Sequence, residues 1–247
     1  MHPVDRLLRY PSADALAKDA AARLVGRILA LQDGQPVVHL CLSTTVLGSE
    51  LQAALARCPR IGDIDATRLH LWWAAESFVD ATDPNRSSTH TLSQLHSALP
   101  LLAAHAHTMP QRSGYADPDA AAYAYAQEIG STVFDLCLLG LGEDGHLAGI
   151  YPHHPSLEAA QDPQALVIGV TDAPWETPDQ MSLSFGALNS TAQVWVFALG
   201  DSRRAMLAAS LAQAPELPAA YLRPREGVLW FADEAAAADL PTFECSL

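Results

Sequence analysis

In residues 12–31 the apolar side chains Leu16, Ala20, Leu24 and Ile28 recur four apart, behind a serine suited to an N-cap and an acid in the first turn. That spacing predicts a helix with one apolar face. Asp33-Gly34 follows as a turn signal, and the apolar run at 37–42 has the length and flanks of a buried strand. The alternation then repeats: strands are predicted at 69–73, 134–139, 166–170, 194–199 and 228–231, and helices at 47–57, 87–99, 117–129, 202–212 and 234–239. Near-continuous apolar strands separated by helices imply an α/β architecture: a mainly parallel sheet covered on both faces, in one domain spanning residues 1–247. In such sheets ligands bind beyond the carboxyl ends of the strands, where loops lead into helices.

Charge narrows the functions that fit this frame. Acidic residues outnumber basic ones 28 to 14 and the formal net charge is −14, so neither nucleic acid nor anionic lipid is expected as a partner. The single lysine, Lys18, sits in the first predicted helix, which removes Schiff-base and P-loop lysine chemistry. Cys41, Cys58, Cys137 and Cys245 form no C-x-x-C pair, which fits a reducing cytoplasm better than a disulfide framework or a zinc site. Neither a signal-like apolar stretch near the start nor a run of about eighteen apolar residues is present, so export and membrane spanning are not expected. Trp72-Trp73 reads as core, His153-His154 as an exposed turn, and His105 and His107 as one face of a short strand.

One segment carries chemistry. The predicted strand at 134–139 runs into Gly140-Leu-Gly142-Glu-Asp144-Gly145-His146, and glycines at a strand end let backbone turn sharply and approach a ligand. A histidine placed there is suited to general base catalysis at neutral pH. Spacing alone also allows a tight turn with His146 at the start of a helix.

Gly140 to Pro152 resembles the signature of 6-phosphogluconolactonases, G-x-G-x-D-G-H-x-A-S-L-F-P. The resemblance extends to Ala74-Ala75-Glu76-Ser77-Phe78-Val79 (family G-D-E-R-F-V), to Asp83-Pro84-Asn85, to the segment from Asp172 to Leu183 (D-S-P-K-P-P-P-x-R-I-T-L), and to Gly200 through Ala205 (G-x-x-K-A). It implies an α/β fold shared with sugar-phosphate isomerases and CoA transferases, no metal or organic cofactor, and hydrolysis of 6-phospho-D-glucono-1,5-lactone in the pentose phosphate route. His146 and Asp144 fall in the catalytic set it implies, and Ser43, Thr44, Asn85, Arg86, Gly142, Gly145 and Arg203 in the substrate-binding set. The implied partner is a small-molecule sugar phosphate or lactone, bound by a cytoplasmic monomer.

The departures are concerted. Where the family has a glycine-rich L-S-G-G-S-T loop, this chain reads Leu42-Ser43-Thr44-Thr45-Val46-Leu47; Ala75 and Ser77 replace an aspartate and an arginine, and Trp175 and Gln180 replace a lysine and an arginine. Three cations are missing together, each worth about 1.5–3 kcal/mol in a charge-assisted contact to phosphate. Arg86 and Arg203, which stands where the family has lysine, are the candidates to compensate. Asn85 serves equally as a helix cap. Three functions therefore fit: the phosphorylated-lactone hydrolase, a lactonase-like binding or regulatory protein, and a hydrolase of an uncharged lactone or ester. Glucosamine-6-phosphate deamination, a relative's chemistry, is least favoured.

Overall fold

The computed structural model describes residues 5–43, 49–95, 99 and 101–241. Seven strands, β1 (Arg6–Tyr10), β2 (Val38–Leu42), β3 (Leu69–Trp73), β5 (Ala106–His107), β6 (Leu136–Gly140), β9 (Gln193–Ala198) and β10 (Val228–Asp233), form one sheet in the order β1-β10-β9-β6-β2-β3-β5. Every pairing in it is parallel. Strands β4 (Ala75–Ser77), β7 (Val167–Val170) and β8 (Gln180–Leu183) form a second, antiparallel sheet in the order β4-β8-β7. The α/β class and the mainly parallel sheet stand, but the segment expected at 166–170 belongs to the smaller sheet rather than the main one.

The helices are α1 (Ala13–Gly34), α2 (Ser49–Ala56), α3 (Ser87–Leu95), α4 (Pro118–Ile129), α5 (Pro155–Ala159), α6 (Phe185–Ser190) and α7 (Arg204–Leu211). Helix α1 starts as its sequence predicts, with the Ser12 hydroxyl accepting the Ala15 N–H at 3.2 Å, and buries Leu16, Ala20, Leu24 and Ile28. It runs on through Asp33-Gly34, where a turn was expected. Asp117 caps α4 by accepting the Ala120 N–H at 2.8 Å, and the helix ends at Gly130 with φ +52°, a left-handed stop that glycine tolerates. The expected helix at 234–239 is a run of turns instead. One α-type bond, Ala237 N–H to the Asp233 carbonyl at 2.9 Å, is not propagated before Pro241, and a single turn does not sustain a helix.

All five residues of β6 are buried. Because alternate side chains point to opposite faces, both faces of the sheet are covered at its centre. Trp72 and Trp73 lie in this core. No helix among the described residues is long and apolar enough to cross a membrane.

At the β5 edge four imidazoles gather. His70 Nδ1 lies 2.8 Å from His107 Nε2, the His70 and His105 rings stack at 4.2 Å, and His39 Nδ1 accepts the Trp72 indole N–H at 3.0 Å. His107 Nδ1 meets Glu128 Oε1 at 2.7 Å. Burial, then His105, His107 and His39, push the His70 imidazole down to about 4; burial also lowers His39, outweighing the pull of Asp135. An unfolded chain protonates these rings near the ordinary value of about 6.5, so between that value and about 4 it binds more protons than the fold. The contribution of His70 is therefore whole above about pH 6.5 and is lost as pH falls toward 4, and that of His39 is lost in the same direction. The urea midpoint should drop between about pH 7.5 and pH 5, and His70→Gln should flatten that dependence. An unchanged slope in the variant would assign it to other groups.

Candidate active site

The sheet order places the site. From β2 the chain moves on to β3 on one side, and from β6 to β9 on the other, so two adjacent strands send their C-terminal loops apart. That switch point opens a crevice at the carboxyl edge. Ser43 closes its floor, donating its backbone N–H to the Leu138 carbonyl at 2.8 Å; Thr44, and with it the rest of the loop to Gly48, lies outside the described residues.

The loop after β6 is folded by its own backbone. Leu141 N–H donates to Phe197 O at 2.8 Å, Gly142 N–H to His146 O at 2.9 Å, and Gly145 N–H to Gly142 O at 3.0 Å, with Gly145 at φ +89°. Asp144 Oδ1 accepts both the His146 backbone N–H at 3.0 Å and the ring at Nδ1, at 2.6 Å. Burial pushes the Asp144 carboxyl upward, but its hydrogen bonds from the His146 side chain and backbone and the adjacent imidazole outweigh this and hold it below the usual carboxylate range. An ionised Asp144 accepts a hydrogen bond from Nδ1–H, which fixes the tautomer in which Nε2 carries the lone pair. The His146 side chain is 8% exposed, packed against Tyr151 (centroids 4.9 Å apart) and the edge of Trp175 (5.4 Å).

His146 faces a cleft of about 250 Å³ lined also by Ser43, Ala75, Glu76, Ser77, Asn85, Ser87, Ala148, Tyr151, Trp175, Glu176, Thr177 and Gln180. Ser77 and Gln180 are direct cross-strand partners between β4 and β8. Ser77 Oγ meets Thr177 Oγ1 at 2.8 Å, Gln180 Nε2 donates to Thr177 O at 3.1 Å, and Gln180 Oε1 accepts the Tyr151 hydroxyl at 2.7 Å. Burial raises the Tyr151 phenol to about 12, against the Gln180 bond that lowers it and with Asp144 adding to the rise, so it remains a neutral donor. Glu76, its side chain fully buried, caps α3: Oε1 accepts the Ser87 N–H at 3.0 Å and hydroxyl at 2.5 Å, and Oε2 the Ser88 N–H at 2.8 Å. A larger cavity of about 450 Å³ between α4 and β7 brings together Asp119, Tyr123, Gln127 and apolar wall, without a base or nucleophile in reach of a partner. Among the described residues no group of histidine, cysteine and carboxylate is arranged to hold a metal ion.

Of the residues singled out in the sequence, Ser43, Asn85 and His146 line this cleft, while Asp144 and Gly142 stand behind the imidazole. Asn85 does not cap α3; that task falls to Glu76. Gly145 faces away, where a Cβ would meet Leu217 Cδ2 at 2.8 Å. The two arginines expected to compensate do not reach the cleft. Arg86 is 4% exposed, its guanidinium donating to the carbonyls of Val79, Met109 and Pro110 with Glu76 Oε2 4.0 Å from Nε, so it is neither a phosphate contact nor a solvated helix-start residue. Arg203 ties the glycine loop to the end of β9, donating to Leu141 O and Leu199 O, both at 2.9 Å. Arg86→Ala is therefore expected to cost about 3–5 kcal/mol of stability by stranding a buried charge and three carbonyls, seen as a lower denaturant midpoint; a normal midpoint with a raised KM would contradict this placement. Tyr151 and Thr177 were not foreseen as site residues; Tyr151, aromatic like the F of the family signature, was the available signal.

The family described as glucosamine-6-phosphate isomerases/6-phosphogluconolactonase matches residues 11–231. A 6-phosphogluconolactonase of Streptomyces coelicolor is 34% identical over 98% of this chain and 97% of its own length, and one of Mycobacterium tuberculosis is 29% identical over 94% and 97%. Among solved structures, a 6-phosphogluconolactonase from Thermotoga maritima superposes with a TM-score of 0.81 at 21% identity, over 93% of this chain and all of that one. A monomeric glucosamine-6-phosphate deaminase does so at 0.77 and 17%, over 94% and 99%; the fold by itself thus serves both chemistries. By its sequence match over most of its length, the chain belongs to the glucosamine-6-phosphate isomerase/6-phosphogluconolactonase family.

Proposed function

We propose that this chain hydrolyses 6-phospho-D-glucono-1,5-lactone to 6-phosphogluconate, the step of the pentose phosphate route for which its curated relatives are named, with His146 as general base. The observation that carries this is the imidazole held through Nδ1 by Asp144 at 2.6 Å while the ring faces the cleft. Nε2 takes a proton from water as the water oxygen bonds to C1, and the carbonyl becomes an oxyanion. Ala148, held at φ +54° against the cleft two residues beyond His146, is where we place a backbone donor to that oxyanion. Collapse reforms the carbonyl and breaks the bond from C1 to the ring oxygen, which takes the proton back from the imidazolium. Asp144 fixes the tautomer and offsets the imidazolium charge.

The contiguous apolar core reaching from Leu16 to Ala237 supports one domain over 1–247. Cys41, Cys58 and Cys137 are free thiols, in keeping with a cytoplasmic enzyme. The test is proton release from the phosphorylated lactone, with the spontaneous rate subtracted. Turnover that scales with enzyme supports the hydrolase; none at all would return the chain to a binding or regulatory role.

A further inference from the structure

A phosphate monoester is recognised by fixed cations and convergent donors. Among the described residues no lysine or arginine lines the cleft, and the remaining residues of the chain include neither. The two arginines that the sequence places beside the site motifs are held elsewhere, Arg86 on three carbonyls and Arg203 on Leu141 O and Leu199 O. In place of charge the wall carries a neutral network joined through hydrogen bonds, Ser77 to Thr177 and Tyr151 to Gln180. The carboxylates that line the cleft, Glu76 and Glu176, have the wrong sign for a dianion, and the net charge of −14 opposes one at long range. Hydroxyl and amide groups suit the hydroxyls of a polyol, and the half-exposed Trp175 beside His146 offers an apolar wall to a sugar ring's C–H face.

We infer that the cleft does not select for phosphate, so that unphosphorylated sugar δ-lactones such as glucono-1,5-lactone are substrates on nearly equal terms with the phosphorylated one. This rests on the hydrolase reading above and names its substrate class. Position pair 77/180 sets the specificity. Each charge-assisted phosphate contact is worth roughly ten- to a hundredfold in affinity, and its absence should leave the two lactones within about tenfold in kcat/KM.

The experiment measures kcat/KM for both lactones with the parent and with the double variant Ser77→Arg/Gln180→Arg. Expected are comparable values in the parent, and in the variant a ratio of phosphorylated to plain substrate raised at least roughly tenfold. Because facing arginines strain the β4/β8 pair, a second readout uses the parent alone: inhibition by gluconate and by 6-phosphogluconate, expected at similar concentrations. A parent that prefers the phosphorylated lactone by more than about a hundredfold, or that 6-phosphogluconate alone inhibits, overturns the inference and leaves the hydrolase standing. Turnover of neither lactone overturns the hydrolase itself and the inference with it.

Discussion

Replacing His146 by alanine is expected to lower kcat/KM for lactone hydrolysis by about 10²–10⁴, the usual share of a positioned general base, while the denaturant midpoint stays near that of the parent. Activity falls because, among the described residues, no other side chain lining the cleft pairs a basic nitrogen with an orienting carboxylate. Stability holds because the imidazole, though buried, lines the cleft, so that water can fill the space it leaves, and Asp144, its side chain 40% exposed, passes to water when the ring is gone. A variant as fast as the parent after subtraction of spontaneous ring opening would remove His146 from the chemistry.

Gly142→Ala should cost nearly as much activity for a different reason. A Cβ built on Gly142 lies 2.1 Å from His146 Nδ1, 2.4 Å from Cε1 and 2.6 Å from Asp144 Oδ1. Real contacts of that length do not exist, so the methyl group forces the ring and the carboxylate apart. The clash falls on side-chain ends, so the fold should lose only about 1–3 kcal/mol, the usual range for an overpacked site. The expected result is a folded protein with kcat/KM down by roughly 10² or more. A variant keeping more than a tenth of the parental value would show that the loop absorbs the methyl with the dyad intact.

The central strands were legible because they are short and apolar on both faces; the 69–73 assignment matches β3 to the residue. Edge and accessory elements were not. Strand β1 carries Arg6 and Arg9 on exposed positions and reads as polar. Strand β4 spans three residues, and only its pairing with β8, far along the chain, makes it a strand. In the site, the glycine loop and its histidine were visible because both the spacing and the residue types are local, and the neutral replacements at 75, 77, 175 and 180 could be read off directly. The fate of a guanidinium is not local. Arg86 is spent on carbonyls 7, 23 and 24 residues away, and Arg203 on one 62 residues back, distances at which side-chain direction depends on how the elements pack. The same holds for the histidine cluster, whose members 70 and 107 meet only because β3 pairs with β5.

In the proposed mechanism Asp144 and His146 act as one unit, and a double-mutant cycle on kcat/KM measures that most directly. Asp144→Asn keeps an oxygen for the His146 backbone N–H but loses the carboxylate that fixes the imidazole tautomer. The single variant should be impaired, and Asp144→Asn/His146→Ala should be no slower than His146→Ala alone, since an orienting group has no work once the ring is absent. Losses that add in the double variant would mean that the two residues act independently, and the dyad would be wrong.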